Sequence, residues 1–328
     1  MSTDDYLIAS VLFMRTQINR HGGLLMIIVG TTGNLLNICV LNERSIRDNP
    51  CSIYLWWSSL FSIAFIWSGL VTRILEGYGI NWPNHSQPVC KARLFILTVC
   101  WSVATWAFVG ASIDRFFGSS ASVTYRSLST VRMARRFLII VLIISILIFG
   151  EIFYCYEANV PNVPVPCYIN SSTCQLYNNW MNILYNIVIP SGLIAVFSIL
   201  TIVNVRKRIV HPVRLTTIAF VTRHINRQPR MRKIDQHLRK ILSVQVLVLL
   251  LLNLPIGVQR LYASFTSNLE KVALRVAIEN LAYSIMVLIR LVPYSISFYL
   301  YILSGSIFRT AFRNIFFRKL RRTQISNQ

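Results

Sequence analysis

Long apolar runs alternate with short polar segments along the whole chain. Seven of these runs are about twenty residues long and contain few or no charged side chains. A helix rises about 1.5 Å per residue and the hydrocarbon core of a bilayer is about 30 Å thick, so each run is long enough to cross it. The pattern predicts an all-α membrane protein, a seven-transmembrane helix bundle, whose spans 1 to 7 are Gly22–Asn42, Cys51–Thr72, Leu94–Ile113, Phe137–Tyr156, Met181–Val205, Ile241–Gln259 and Ala277–Leu303.

Composition agrees with a membrane protein, and the distribution of charge predicts its orientation. Hydrophobic residues make up 54% of the 328 residues and charged residues only 13%, too few to cover a soluble fold. Of the 33 Lys and Arg residues, 24 fall in the segments after spans 1, 3, 5 and 7, and eight fall in the N-tail and the other loops. The positive-inside rule therefore predicts an outer N-terminus and an inner C-terminus. The net charge of +22 reflects this topology, and no nucleic-acid partner is expected.

The chain divides into three parts around the predicted bundle. Residues 1–20 are expected to form an extracellular N-tail, residues 21–303 the seven-transmembrane domain, and residues 304–328 an amphipathic helix and cytoplasmic tail. Apolar residues from Phe308 to Phe316 recur at helical spacing, which predicts a helix lying on the inner leaflet of the bilayer. Sequons at Asn84 and Asn170 fall in predicted outer loops, so both asparagines are candidate glycosylation sites of a plasma-membrane protein.

Several short motifs occur together with the spacing and sidedness of one receptor family. Asp114-Arg115-Phe116 stands at the inner end of span 3, and Cys90 lies 25 residues before Arg115 at the outer end. In this combination the chain resembles the rhodopsin-like (class A) G-protein-coupled receptors, of a divergent invertebrate and peptide-receptor-like type. The other residues of the resemblance, which covers about residues 20 to 320, are Gly33, Asn34, Pro190, Asp235, Pro255 and Tyr301.

The resemblance implies a function and roles for several residues. The chain would be a cell-surface receptor, not an enzyme, that binds an extracellular ligand and activates a heterotrimeric G protein without a cofactor. Arg115 would pair with Asp114 and with Asp235 at rest, and releasing it would open the cytoplasmic face, with Tyr301 part of the same switch. The hinge residues of spans 6 and 7 would be Asn253, Pro255 and Pro293.

The chain also departs from the family pattern. The family's helix-2 aspartate is Ser62, its helix-7 asparagine and proline are Ser297 and Phe298, and its helix-6 tryptophan is Asn253. A sodium ion needs oxygen ligands that include a carboxylate, and the expected position holds none. We therefore expect no bound metal.

The family resemblance also implies a disulfide between Cys90 and the loop that joins spans 4 and 5. This loop contains Cys167 and Cys174. Cys167 is preferred because Cys174 is expected within the first turn of the next helix, but Cys174 is an alternative partner for Cys90. A third arrangement pairs the two loop cysteines with each other.

The nature of the ligand is indicated by the candidate pocket. Leu97 stands where amine receptors of the family carry an aspartate, so a peptide ligand is favoured. Arg290 lies deep in span 7, with Arg73 and Arg260 nearer the outer surface. It is either an anchor for an anionic ligand group or a structural cation held by Glu151, Asn253, carbonyls near Pro293 or trapped water.

A seven-helix channel or carrier is the alternative function. Such a protein is expected to show repeated halves or several polar residues along one path.

Overall fold

The protein is described by a computed structural model that covers residues 3–43, 46–81, 85–159, 167–169, 171–210, 228–266, 269, 271–304 and 308–313. Within these ranges the chain is almost entirely helical, with one short two-stranded antiparallel sheet. The α-helices and strands are α1 (Thr3–Gln17), α2 (Gly23–Leu41), α3 (Pro50–Gly77), α4 (Gln87–Ser119), α5 (Val123–Leu128), α6 (Val131–Phe149), α7 (Ile152–Cys155), β1 (Tyr156–Ala158), β2 (Cys167–Ile169), α8 (Ser172–Ile183), α9 (Ile189–Val210), α10 (Gln228–Phe265), α11 (Ala273–Ser295) and α12 (Ser297–Ser304).

The fold is almost entirely α-helical and compatible with an all-α membrane protein. Six helical segments of the described chain are long and apolar enough to cross a bilayer, and a shorter apolar segment, Leu247–Ala263, lies within α10. Large apolar side chains remain exposed along these segments, for example Leu147 and Leu303. Such extensive apolar exposure is unfavourable in water and is expected where side chains face lipid.

Helix starts follow from local sequence chemistry. Asn49 precedes α3, its side-chain oxygen accepts a hydrogen bond from the Cys51 amide at 3.0 Å, and Pro50 occupies the first turn. Thr130 caps α6 in the same way by accepting from the Met133 amide at 3.2 Å. A side-chain acceptor and an N-terminal proline both suit a first turn, whose amides have no partner within the helix.

Helix α4 is the central element of the bundle. In the most apolar part of α4, 72% of the residues are buried. The corresponding fraction is 28% in the segment Val131–Cys155, which begins with α6. Gly110 allows α3 and α6 to pack closely against α4. A Cβ at this position would lie 2.3 Å from the Tyr54 ring of α3 and 2.9 Å from the Phe137 ring of α6. Small residues at helix crossings allow this kind of close contact in membranes.

The first helical segment is longer than the hydropathy predicts. Residues expected to form an N-tail are instead helical in α1, which continues through a π-helical turn at Ile18–Gly22 into α2. The Arg15 guanidinium on α1 pairs with the Glu76 carboxylate at the end of α3 at 3.5 Å. Hydropathy marks the apolar part of a helix, whereas the helix itself extends through polar turns that satisfy its backbone.

The segment predicted as span 7 is not one continuous helix, because α11 ends at Ser295 and α12 begins at Ser297. A break of this kind leaves buried carbonyls without their regular helical partners. Two side-chain amides supply replacements: Gln245 of α10 donates to the Pro293 carbonyl at 2.7 Å, and Asn34 of α2 donates to the Tyr294 carbonyl at 2.9 Å. The break is therefore held by helices on both sides.

The chain beyond α12 is described over residues 308–313, which are helical. Phe308 is buried against Tyr301, with ring centres 5.4 Å apart, whereas Arg309 and Arg313 are exposed. This agrees with the predicted amphipathic pattern. Residues 314–328 lie outside the described part of the chain.

Candidate functional site

Two disulfides organise one end of the bundle. We call it the outer end, because the sequence predicts that it faces outward, and we call the opposite end the inner end. Cys90 at the start of α4 is joined to Cys167 of β2, which is the preferred pairing. Cys174 of α8 is joined to Cys155 of α7, an arrangement that the sequence did not predict. Cys155 was placed inside span 4, but α6 ends at Phe149 and the next turns bring Cys155 to the start of the β-hairpin. The pairing of the two loop cysteines with each other is therefore ruled out in this structure.

The outer half of the bundle contains a cluster of arginines from four helices. We call Arg73, Arg93, Arg260, Arg290 and Tyr283 the outer arginine cluster. All four guanidinium groups lie within electrostatic range of the Tyr283 phenol. The Arg73 guanidinium also lies over the Tyr283 ring, 5.2 Å from its centre. The structure thus brings together the three arginines of the predicted pocket and adds Arg93 and Tyr283.

Arg290 is the deepest member of this cluster. Its side chain is only 4% exposed and lies against two aromatic rings, with Cζ 4.5 Å from the centre of Trp101 and 5.2 Å from that of Phe65. Its Nε and Nη1 atoms are buried without a hydrogen-bond partner. Glu151, one of the proposed partners of a structural cation, instead accepts from Asn178 at 2.7 Å. The cation–π contacts stabilise the guanidinium, but they leave its donors unused.

A polar network lies directly below Arg290. The Tyr294 hydroxyl accepts from the Trp101 indole at 3.0 Å and shares a hydrogen bond of 2.7 Å with the Thr105 hydroxyl. Asn253, the predicted hinge residue of α10, is fully buried beside Tyr294. These groups connect α4, α10 and α11 through the Tyr294 hydroxyl. Arg290 lies against Trp101, so a displacement of Arg290 is expected to disturb this shared hydrogen-bond network.

A ladder of asparagines extends from the outer surface into the bundle. Asn178, Asn182 and Asn186 recur every fourth residue and are all buried. Asn182 donates to the Asn178 side chain at 3.1 Å, Asn186 lies 3.4 Å from Asn182, and Ser102 of α4 donates to Asn186 at 2.6 Å. The Tyr156 phenol also contacts Asn178 at 3.4 Å, and burial raises the pKa of this phenol. The spacing was visible in the sequence but was not recognised, because neutral residues carry no charge signal.

The predicted switch residues at the inner end of α4 form a buried ion pair. The Asp114 carboxylate accepts from the Arg115 guanidinium at 2.5 Å and from the Ser129 hydroxyl at 2.5 Å. Arg115 also donates to the Asn49 side chain at 2.9 Å. Asn49, the cap of α3, was not predicted, since only the fold brings it to Arg115. The pair therefore links α4 to the start of α3 and to the segment before α6.

The remaining predicted residues occupy ordinary helical positions. Leu97 of α4 packs partly buried against the core, where its side chain faces Gly69 of α3. Pro255 lies inside α10 and Pro293 inside α11. Tyr301 is almost completely buried on α12.

Three predicted sites fall outside what the structure describes. Asn84 and Asn170 lie outside the described residues, as does the side chain of Asp235 on α10. The proposed contact between Arg115 and Asp235 therefore stays a prediction. Within the described residues, no group of three His, Cys, Asp or Glu side chains is arranged to hold a metal ion.

The chain matches no protein-family model, and a search of curated proteins finds no match either.

Proposed function

We propose that the protein is a plasma-membrane receptor of the rhodopsin-like type. Seven spans would place the N-terminus outside, with the apolar part of α10 as the sixth. An extracellular ligand, for which a peptide is the favoured class, would bind among the outer halves of the helices. Binding would separate α10 from the inner end of α4 and expose a surface for a heterotrimeric G protein.

The observation that carries this proposal is the construction of α4. Its outer end is tied covalently to the β-hairpin through Cys90, and its inner end carries the buried Asp114–Arg115 pair. A buried charge pair is costly to desolvate and is costly to break by removing one partner. Such a pair at a helix end is suited to a two-state contact, because the same charges become hydrated when the inner face opens.

One observation bears on the alternative, a channel or carrier. The asparagine ladder gives a line of polar groups from Glu151 to Ser102. Inward of Ser102 the contact between α4 and the fifth predicted span is made through aromatic pairs, Trp106 with Tyr185 and Phe116 with Phe197, until Asn204 donates to Ser119 at 3.3 Å near the inner end. A polar line that stops partway favours a binding region closed from below over a path across the membrane.

The test is basal G-protein activation in cells, measured with biosensors for each G-protein class at matched surface expression. Asp114→Asn removes the charge that holds Arg115 and should raise basal activation. If this contact stabilises the resting state by about 1 kcal/mol, its loss changes the ratio of active to resting receptor roughly fivefold. Ser129→Ala removes one donor to the same carboxylate and should give a smaller rise. Arg115→Ala should abolish activation in cells that are matched for surface expression.

The control is Arg136→Ala, which removes an exposed charge on the same side of the bundle. It should leave basal activation near that of the unmodified protein. If Asp114→Asn, Ser129→Ala and Arg115→Ala all signal like this control in every biosensor, the receptor mechanism is wrong.

A further inference from the structure

The outer arginine cluster has a surplus of positive charge that the described chain does not neutralise. The strongest electrostatic neighbours of Arg290 are Tyr283, Arg260, Tyr294 and Arg73, and none of these is a carboxylate. The nearby acids have other partners. Glu76 lies within electrostatic range of Arg93 but pairs with Arg15. Glu279 pairs with Lys271 and Arg275, and Glu151 accepts from Asn178. A buried guanidinium without a counter-ion is costly, so such a group is expected to serve a function.

The same arginines that carry this surplus charge also carry hydrogen-bond donors without partners. Nε of Arg93 and Nε of Arg260 are buried without a partner, as are Nε and Nη1 of Arg290. The existing contacts are weak or use other atoms: Arg260 Nη1 lies 3.4 Å from the Asn179 side chain, and Arg93 Nη1 donates to Thr72 at 2.7 Å. Three helices thus each present at least one free N–H in the same region.

The side chains of the cluster also differ in how deeply they are buried. Arg73, Arg93, Arg260 and Tyr283 are partly exposed, whereas Arg290 is buried beneath them against Trp101. An anion that enters from outside would first meet the shallower arginines, which attract it, and would then reach a guanidinium with two free donors. A planar guanidinium binds a carboxylate at two points, a geometry that an ammonium group cannot reproduce.

We propose that the outer arginine cluster is a binding site for the carboxylate of an extracellular ligand, with Arg290 as its anchor and Arg73, Arg93, Arg260 and Tyr283 around it. This proposal names the ligand class of the receptor function proposed above and rests on that function for its physiological meaning. The carboxylate replaces the missing counter-ion of the cluster. The aromatic floor formed by Trp101 and Phe65 favours a carboxylate attached to an apolar group.

The probe is benzoate, an aromatic carboxylate, with neutral benzamide of the same shape as its partner. The purified full chain in phosphatidylcholine nanodiscs is titrated with sodium benzoate at constant ionic strength. Tryptophan fluorescence and thermal stability are recorded together. We expect a saturable response with a dissociation constant of about 1 mM or tighter for so small a ligand. Benzamide should give no saturable response.

Variants test whether benzoate binds at the outer arginine cluster. Arg290→Lys keeps the positive charge but loses the planar group that binds a carboxylate at two points, and should weaken benzoate binding about tenfold or more. Trp101→Phe should remove most of the fluorescence change while the thermal stabilisation by benzoate remains. Arg275→Lys is the control, because Arg275 lies on the same helix but is exposed and paired with Glu279; its titration should match that of the unmodified protein.

Several results would overturn the proposal. These are the absence of a saturable benzoate response, equal responses to benzoate and benzamide, and an unchanged titration in Arg290→Lys. Phosphate or sulfate binding more tightly than benzoate would show an oxyanion site of a different class. If Arg290→Lys does not fold, Arg73→Gln and Tyr283→Phe take its place, and unchanged binding in both counts against the site. G-protein coupling plays no part in these titrations, so their failure leaves the Arg115 result standing.

Discussion

Replacing Gly110 by alanine should destabilise the bundle through one identifiable clash. The added Cβ would lie 2.3 and 2.7 Å from two carbons of the Tyr54 ring and 2.9 Å from the Phe137 ring. Carbon atoms in contact normally lie about 3.5 Å apart or more, so the rings must move by about 1 Å. Tyr54 is 6% exposed and packs edge-on against Phe137, which leaves little room to move. Overpacking of this kind costs about 1–3 kcal/mol.

A matched control and a rescue variant separate the clash from the change in helix propensity. Gly118 lies on the same helix with nothing within 4 Å of its Cβ position, so Gly118→Ala should be neutral or slightly stabilising. Tyr54→Leu removes the ring that the new methyl group meets. Combining Tyr54→Leu with Gly110→Ala should therefore cost less than the sum of the two single changes.

Unfolding can be followed with a thiol-reactive dye, because Cys51 and Cys100 are buried thiols outside the two disulfides, whereas the Cys39 thiol is exposed. Cys39 gives a constant background, and the two buried thiols react as the bundle opens. Gly110→Ala should lower the apparent melting temperature relative to Gly118→Ala. Equal melting temperatures for these two variants, or strict additivity with Tyr54→Leu, would refute the packing argument.

Two further predictions concern the outer disulfide and the break in span 7. Peptide mapping without reduction should recover Cys155 joined to Cys174, and Cys174→Ser should cost about 3 kcal/mol on a chain-entropy estimate for a loop of 19 residues; alkylation of Cys155 in the native protein would contradict this. Asn34→Ala should cost about 1–3 kcal/mol because it leaves the buried Tyr294 carbonyl without its donor, whereas exposed Thr32→Ala should change stability by less than about 0.5 kcal/mol in the same melting assay; equal effects would contradict this.

The sequence was most informative where a single physical property decides the structure. Helix positions follow from the length of apolar runs, because the bilayer demands that the backbone satisfy its own hydrogen bonds. The preference for Cys167 agrees with the structure, and so does the grouping of Arg73, Arg260 and Arg290. Arginines within or next to apolar runs are conspicuous, and their positions along the predicted spans place all three toward the same end of the bundle.

The features that the sequence did not predict depend on contacts between distant segments. Asn49 looks like an ordinary helix cap, and only the fold brings it to Arg115. Cys155 looked like a span residue because hydropathy does not record the end of α6 at Phe149. The break before Ser297 is set by Gln245 and Asn34, which supply hydrogen bonds from other helices, and local sequence does not contain that information.

The two disulfides divide the outer rim into a fixed part and a part that can move. Cys90–Cys167 and Cys155–Cys174 join α4, α7, the β-hairpin and α8 into one covalently braced frame. No cysteine follows Cys174 in the sequence, so α10 and α11 are joined to this frame by the chain and by non-covalent contacts only. Any widening of the rim that keeps both disulfides intact must come from helices outside the braced frame, α10 and α11 among them. Arg260 and Arg290 would move with these helices, while Arg93 stays with the frame.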